Sequence, residues 1–284
     1  MDLKLRRGLP EDAKTCGAIC CEAFKAIAEH HNFPPNLPTP DVAIELLSKQ
    51  FSHPNYYSVV AELDGRVVGS NFLDEHSSIV AIGPVSVDPN QQNKSIGRQL
   101  MQHLLDRIAE KSFPGARLVT EAYHSRSYSL YAKLGFETRE PLAVMQGPAV
   151  AKVIPGFAVR PATEENLDSC NQLSRKVHGH DRGGELLDAI KEGTATLVEH
   201  DGHISGYATL IAFFGHAVGE TNEDLKALIG SATEFLGPGF ILPTRNTDLF
   251  RWCLAHGLRV VFQSVLMSLG LYNEPRGAFL PSVQ

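Results

Sequence analysis

Residues 82–106 read IGPVSVDPNQQNKSIGRQLMQHLLD, and this stretch sets the organisation of the chain. Ile82 to Val87 is a short apolar run of strand character. Asp88-Pro89-Asn90 stops it, because proline cannot continue a ladder and Asp and Asn favour turns. From Ile96 onward, Leu100, Met101, Leu104, Leu105 and Ile108 recur at spacings of three, four and seven, one face of an amphipathic helix. Gln91 to Ser95 lies between, polar, small and slightly basic. A strand that runs through a turn into a helix points unpaired backbone N–H groups, at the positive end of the helix dipole, into that turn. Such a mouth binds phosphate, and Lys94 and Arg98 flank it with positive charge.

VSVDPNQQNKSIGRQLM resembles the acyl-CoA diphosphate loop of the GNAT superfamily of N-acetyltransferases. The family pattern is Gln or Arg, two residues, Gly, one residue, then Gly or Ala; here it runs Gln92-Asn93-Lys94-Ser95-Ile96-Gly97. Ser95 replaces the middle glycine. Serine is small and its hydroxyl is expected to cap the helix, although a positive φ would cost about 1 kcal/mol or more there. Downstream, Leu130-Tyr131-Ala132-Lys133-Leu134-Gly135-Phe136 resembles the closing helix of the family, Leu-Tyr-x-x-x-Gly-Phe. The two motifs occur in the family's order, with room for a helix and a strand between them.

The resemblance implies a direct attack of an amine on acetyl-CoA. It places Gln92, Asn93, Lys94, Ser95, Ile96, Gly97 and Arg98 at the diphosphate. It places the backbone of Val85, Ser86 and Val87 along the pantetheine, and Ser125 at a position where the family often contacts CoA. Tyr131 takes the place of the tyrosine that protonates the departing thiolate, consistent with a phenol of reference pKa near ~10. Its other reading is a packed helix tyrosine. The family's usual base positions hold Ala81 and Gly83, which accept no proton. Glu75, His76, Glu121 and His124 are the nearest titratable candidates, and a water chain serves equally well. Glu29 to Pro40, EHHNFPPNLPTP, is a semi-rigid loop containing Phe33. It either lines the acceptor site, as the same region does in the family, or is a plain surface connection.

The rest of the first half reads as a mixed α/β unit. Leu3–Arg7 is a strand, residues from Gly8 start a helix, and Asp41–Phe51 is a second helix. Tyr56–Leu63 and Arg66–Leu73 flank Asp64-Gly65, the strongest short hairpin signal. Ile79–Val87 and Arg117–Ala122 are further strands, and Thr138–Met145 is expected to return as a final hairpin strand. Gly147–Gly156 reads as a linker, after which the chain starts again. Val159 to Glu165 parallels Leu5 to Glu11, Leu197 to Gly206 parallels Val59 to Gly69, and Leu254 to Leu258 echoes Ala132 to Phe136. Two tandem GNAT-like domains are therefore expected: residues 1–147 with the donor site, and a degenerate residues 157–284. In the second, the strand-like Ala208–Phe214 leads into Gly215 to Asp224, whose carboxylates oppose an anion, and Cys253 stands where Tyr131 stands in the first. That domain is expected to cover the acceptor cleft or form a dimer surface, with a homodimer as one possibility.

The chain has 284 residues, 43% apolar and 20% charged, with a net charge of −6, which argues against a general nucleic-acid or anionic-membrane partner. Met1 to Arg7 lacks an apolar signal core, and no run approaches the roughly 18 apolar residues of a membrane helix. Five cysteines show neither a disulfide framework nor metal spacing, so a cytoplasmic location is expected. His30-His31 and His178-x-His180 lack a third ligand at known spacing, so no metal is expected. The combined expectation is an acetyl-CoA-dependent N-acetyltransferase acting on a small-molecule primary amine. The alternatives are an acyl-CoA-binding sensor with little turnover, and acetylation of a protein lysine or N-terminus.

Overall fold

The computed structural model describes residues 2–283. Two compact units share the chain: one runs up to Glu75 and includes Ile79–Leu118 and His124–Phe136, and the other comprises His76–Ser78, Val119–Tyr123 and everything from Glu137.

The first unit opens with β1 (Leu3–Arg7), α1 (Ala13–His30) and α2 (Pro40–Ser52). Proline at the first position of α2 and Thr39, whose hydroxyl accepts from Val42 N at 3.4 Å, mark its start. The two helices pack closely at Gly17, where a Cβ would lie 2.7 Å from the Ile44 Cα. β2 (Tyr56–Leu63) and β3 (Arg66–Asp74) form the expected hairpin, with Asp64 and Gly65 at φ 50° and 79°. That turn matches the strand twist. β1 pairs antiparallel with β2. One face of this sheet meets α1 and α2 around Cys16, Cys20, Leu47, Val60 and Phe72.

The expected strand Ile79–Val87 is two pieces, β4 (Ile79–Ile82) and β5 (Ser86–Val87). Gly83, at φ 139°, and Pro84, which has no N–H to give a ladder, interrupt it. β4 pairs in parallel with the start of β6 (Gly115–Glu121) from Ile79↔Gly115 to Ala81↔Arg117. The sheet is therefore mixed. α3 (Ile96–Glu110) precedes β6, and α4 (Ser125–Lys133) follows it.

The second unit repeats that order with β8 (Phe157–Pro161), α5 (Leu167–His178), α6 (Gly183–Lys191), β9 (Thr196–His200), β10 (His203–Ala208), β11 (Ala217–Gly219), α7 (Asn222–Ser231), β12 (Phe240–Pro243), α8 (Thr247–Ala255) and β13 (Arg259–Gly270). The repeat extends to single side chains. Arg6 bridges Asp12 and Glu62; Arg160 bridges Asn166 and Glu199 in the same arrangement. The second hairpin turn, Asp201-Gly202, has φ 48° and 76°. β14 (Ala278–Leu280) is an addition without a counterpart in the first unit, and the strand order is β14-β11-β10-β9-β8.

Two sequence expectations need correction. β7 (Glu137–Gln146) is a strand but not the return strand of a hairpin: its partners are β13 on one edge and β12 on the other, and it falls within the second unit. Leu142 to Met145 are all buried, so both faces of this strand are covered. The second correction concerns Ala208–Phe214: β10 ends at Ala208, and the residues after it form a loop, with Ile211 to Phe213 buried and Phe214 exposed, closed by Thr209 N donating to His216 O at 2.9 Å. Among the described residues no helix is long and apolar enough to cross a membrane.

Candidate active site

Asp88 ends β5 by accepting from Asn90 N at 2.8 Å, which turns the chain through residues 89–91. Gln92 then folds back, its Nε2 donating to the Val87 carbonyl at 3.1 Å. Asn93 and Ser95 both take positive φ, 65° and 61°. The expected hydroxyl cap is absent: Ser95 occupies the N-cap position of α3 in the left-handed region, and its side chain caps nothing. The first N–H groups of α3 therefore open outward without a side-chain acceptor, at the positive end of a 15-residue helix. Arg98 is exposed on the first turn and has no ion-pair partner among the described residues. Lys94 donates to Gln91 Oε1 at 2.7 Å. Gly97 is not forced by crowding, since a Cβ placed there would meet Val87 Cγ2 as its nearest atom, at 3.8 Å; the backbone is bare.

Among the described residues the strand beside this mouth is paired along one edge only. β5 pairs with β3 through Gly69↔Val87 and Ser70↔Ser86, and β3 is its strand partner. Ser86 turns its side chain inward, buried and with an unpartnered hydroxyl, so it presents its backbone alone to the outer edge; Val85 is half-buried.

α4 is capped by His124, with Ser125 as its first helical residue. His124 Nδ1 accepts from Ser127 N at 3.4 Å, and Nε2 lies 3.0 Å from Ser127 Oγ. Burial first, then the charges of Arg126 and His31, pushes the imidazole down to about 4. It is a neutral cap whose lone pair is already engaged. Tyr131 is 6% exposed, edge-on to Phe136 at 6.3 Å between centroids. Ser125 is exposed at the helix mouth, and Phe33 is half-buried just after α1.

Glu75 stands elsewhere. It grips Arg107 through two contacts of 2.5 and 2.9 Å, and Arg107 lies 3.8 Å from the Tyr57 ring centroid, with Arg7 4.1 Å from the same ring. Arg107 is in the last turn of α3, about 16 Å along the helix from its mouth. His76 and Glu121 belong to the second unit. There His76 Nε2 sits 2.7 Å from Asp188, Glu121 is buried, and burial of the Tyr123 phenol, followed by the charge of Glu121, raises the Tyr123 pKa. Sequence reasoning missed Arg126, whose guanidinium donates to Gln92 Oε1 at 2.5 Å and Asn93 Oδ1 at 3.4 Å. The available signal was a basic residue on the first turn of the motif helix.

The corresponding features of the second unit are closed. Asp224 accepts from Thr221 N at 2.8 Å and from Thr221 Oγ1 at 2.9 Å, capping α7 with its own carboxylate, and Ser205 donates to the same acid. β11 has a partner on each edge, β10 on one side and β14 on the other. Cys253, at the position of Tyr131, is fully buried and its thiol is pushed up to about 12 by that burial.

Residues 24–136 match the family model of the acetyltransferase (GNAT) family. A mycothiol acetyltransferase from Arthrobacter sp. (strain FB24) is 28% identical over 132 residues; the match spans 44% of this chain and 40% of that relative. Among solved structures, a putative acetyltransferase from Pyrococcus horikoshii superposes with a TM-score of 0.75 over 97% of this chain and 94% of its own, at 18% identity. A tandem GNAT protein from the clavulanic acid biosynthesis pathway gives 0.60 over 95% and 98%, at 13% identity. The whole chain thus has a tandem GNAT-like architecture.

Proposed function

We propose that the first unit transfers the acetyl group of acetyl-CoA to the primary amine of a small molecule by direct attack. The observation that carries this reading is an asymmetry between two copies of one fold. The first copy leaves the α3 mouth and the outer edge of β5 open, side by side, whereas the second closes both with Asp224 and β14. An uncapped helix start beside a bare strand edge fits a diphosphate followed by an extended amide-bearing arm. The similarity to a protein named mycothiol acetyltransferase supports acetyl transfer in general.

Bound acetyl-CoA supplies an acyl thioester. The N–H groups around Ser95 to Gly97, with Arg98, hold its diphosphate. The backbone of Val85 to Val87 pairs with the arm, and an N–H there donates to the thioester oxygen as charge grows on it. Tyr131 gives its proton to the leaving sulfur. His124 is engaged by Ser127 and takes no proton from the amine; water carries that proton away. The second unit binds no donor.

A sensor reading draws on one specific observation, Ser95 held at positive φ where the family pattern has glycine. Release of free CoA thiol on a panel of amines, amino acids, polyamines and lysine peptides decides. Amine-dependent release by the wild type and its loss with a Gln92–Gly97 loop replacement support the enzyme. Stoichiometric binding without release on any acceptor supports the sensor. One donor bound per chain in calorimetry is expected; two would overturn the assignment of the second unit.

A further inference from the structure

We infer that Arg126 is a donor-binding residue, a latch that rests on the loop and transfers to a phosphate of the carrier when it arrives; this rests on the acetyl-CoA reading above. Arg126 leaves the first turn of α4 and reaches across to the loop in front of α3. It spans the two side chains that shape that loop, Gln92 at 2.5 Å and Asn93 at 3.4 Å. Gln92 in turn holds the end of β5 through the Val87 carbonyl at 3.1 Å. One guanidinium thus ties the strand end, the loop and the next helix together.

Its partners are the point. Both are neutral amide oxygens, and no carboxylate pairs with Arg126 among the described residues. Two other arginines of the unit are committed to acids, Arg6 to Asp12 and Glu62 and Arg107 to Glu75. An exposed guanidinium held by amides alone gives them up readily for an anion, because only the donor is charged in the present contacts whereas both partners are charged in a guanidinium–phosphate pair. The planar fork that now touches two amide oxygens matches two phosphate oxygens equally well. Arg126 and Arg98 then supply positive charge to the mouth from two different helices.

The test measures kcat and KM for acetyl-CoA and for S-acetylpantetheine, which keeps the thioester arm and lacks every phosphate. It uses the full chain as wild type, Arg126→Ala and Arg126→Lys, with thermal melting as the folding control. Arg126→Ala is expected to raise KM for acetyl-CoA roughly tenfold or more, the worth of one charge-assisted contact, with kcat at saturation and kcat/KM for S-acetylpantetheine unchanged. Arg126→Lys, which keeps the charge and loses the fork, falls between. A KM for acetyl-CoA within twofold of wild type, or equal losses with both donors, overturns the latch while leaving the donor site standing. A wild type that uses neither donor overturns the underlying reading instead.

Discussion

Val218 of β11 lies directly opposite Phe279 of β14 in an antiparallel ladder, so the chain's own C-terminal strand fills the edge that stays open on β5 of the first unit. The neighbours of Phe279, Ala278 and Leu280, are buried in the main core of the second unit. This strand is part of the fold rather than an appendage. Leu280→Ala should destabilise the protein by about 2–4 kcal/mol, the usual cost of emptying a buried leucine site. Urea denaturation measures it, and a change below about 0.5 kcal/mol, the scale of a surface substitution, would show that the strand is peripheral.

Ser95→Gly should stabilise the first unit and tighten donor binding together. Ser95 is held at φ 61° with no compensating side-chain bond. Glycine removes a penalty of about 1 kcal/mol, partly offset by its greater freedom in the unfolded chain. A raised melting temperature and a lower Kd for acetyl-CoA are the expected results. A loss on both counts would mean that the hydroxyl contributes to the donor complex.

Tyr131→Phe should cut turnover roughly a hundredfold, the low end of what a positioned acid supplies, while Kd for acetyl-CoA changes little. The ring stays in its buried place against Phe136, so binding and folding keep their packing. A rate within a factor of two of wild type removes the phenol from the reaction.

His124 gives stability a defined pH dependence. Its folded pKa, about 4, lies below the unfolded value near ~6.5. Between those values the unfolded chain binds more protons than the folded one, so stability rises with pH across this window. Its contribution is complete above the unfolded pKa and is lost as pH falls toward 4. His124→Asn keeps a capping acceptor without the titration. Urea midpoints measured at intervals from pH 4 to 7 should climb more steeply for wild type than for the variant. Equal slopes would show that His124 is solvated.

The loop and the closing helix were readable because their chemistry is local. Gln92 to Gly97 sits between a strand stop and an amphipathic run, and Tyr131 to Phe136 carries its own termination: Phe136 N returns to Tyr131 O at 3.1 Å around Gly135 at φ 95°. The second copy repeats this with Leu258 N on Cys253 O at 3.1 Å around Gly257 at φ 85°. The echo seen in the sequence was therefore a shared way of ending a helix within one chain. Glu75 looked equivalent to His124 as a base because both are titratable and near motifs in sequence. Only the ion pair with Arg107 shows that Glu75 serves the far end of α3.

Local chain chemistry was enough to set the order of elements in each half, the strand–turn–helix at Gln92 to Gly97 and the place of Tyr131 on its helix, since each depends on residues within a few turns of one another. Long-range packing was needed to settle where β7 finds its partners, how the edge of β11 is filled from the far end of the chain, whether Ser95 caps its helix, and that Arg126 reaches the loop. These depend on which groups burial brings within a few ångströms, and side-chain pairing over long separations leaves no periodic trace in the chain.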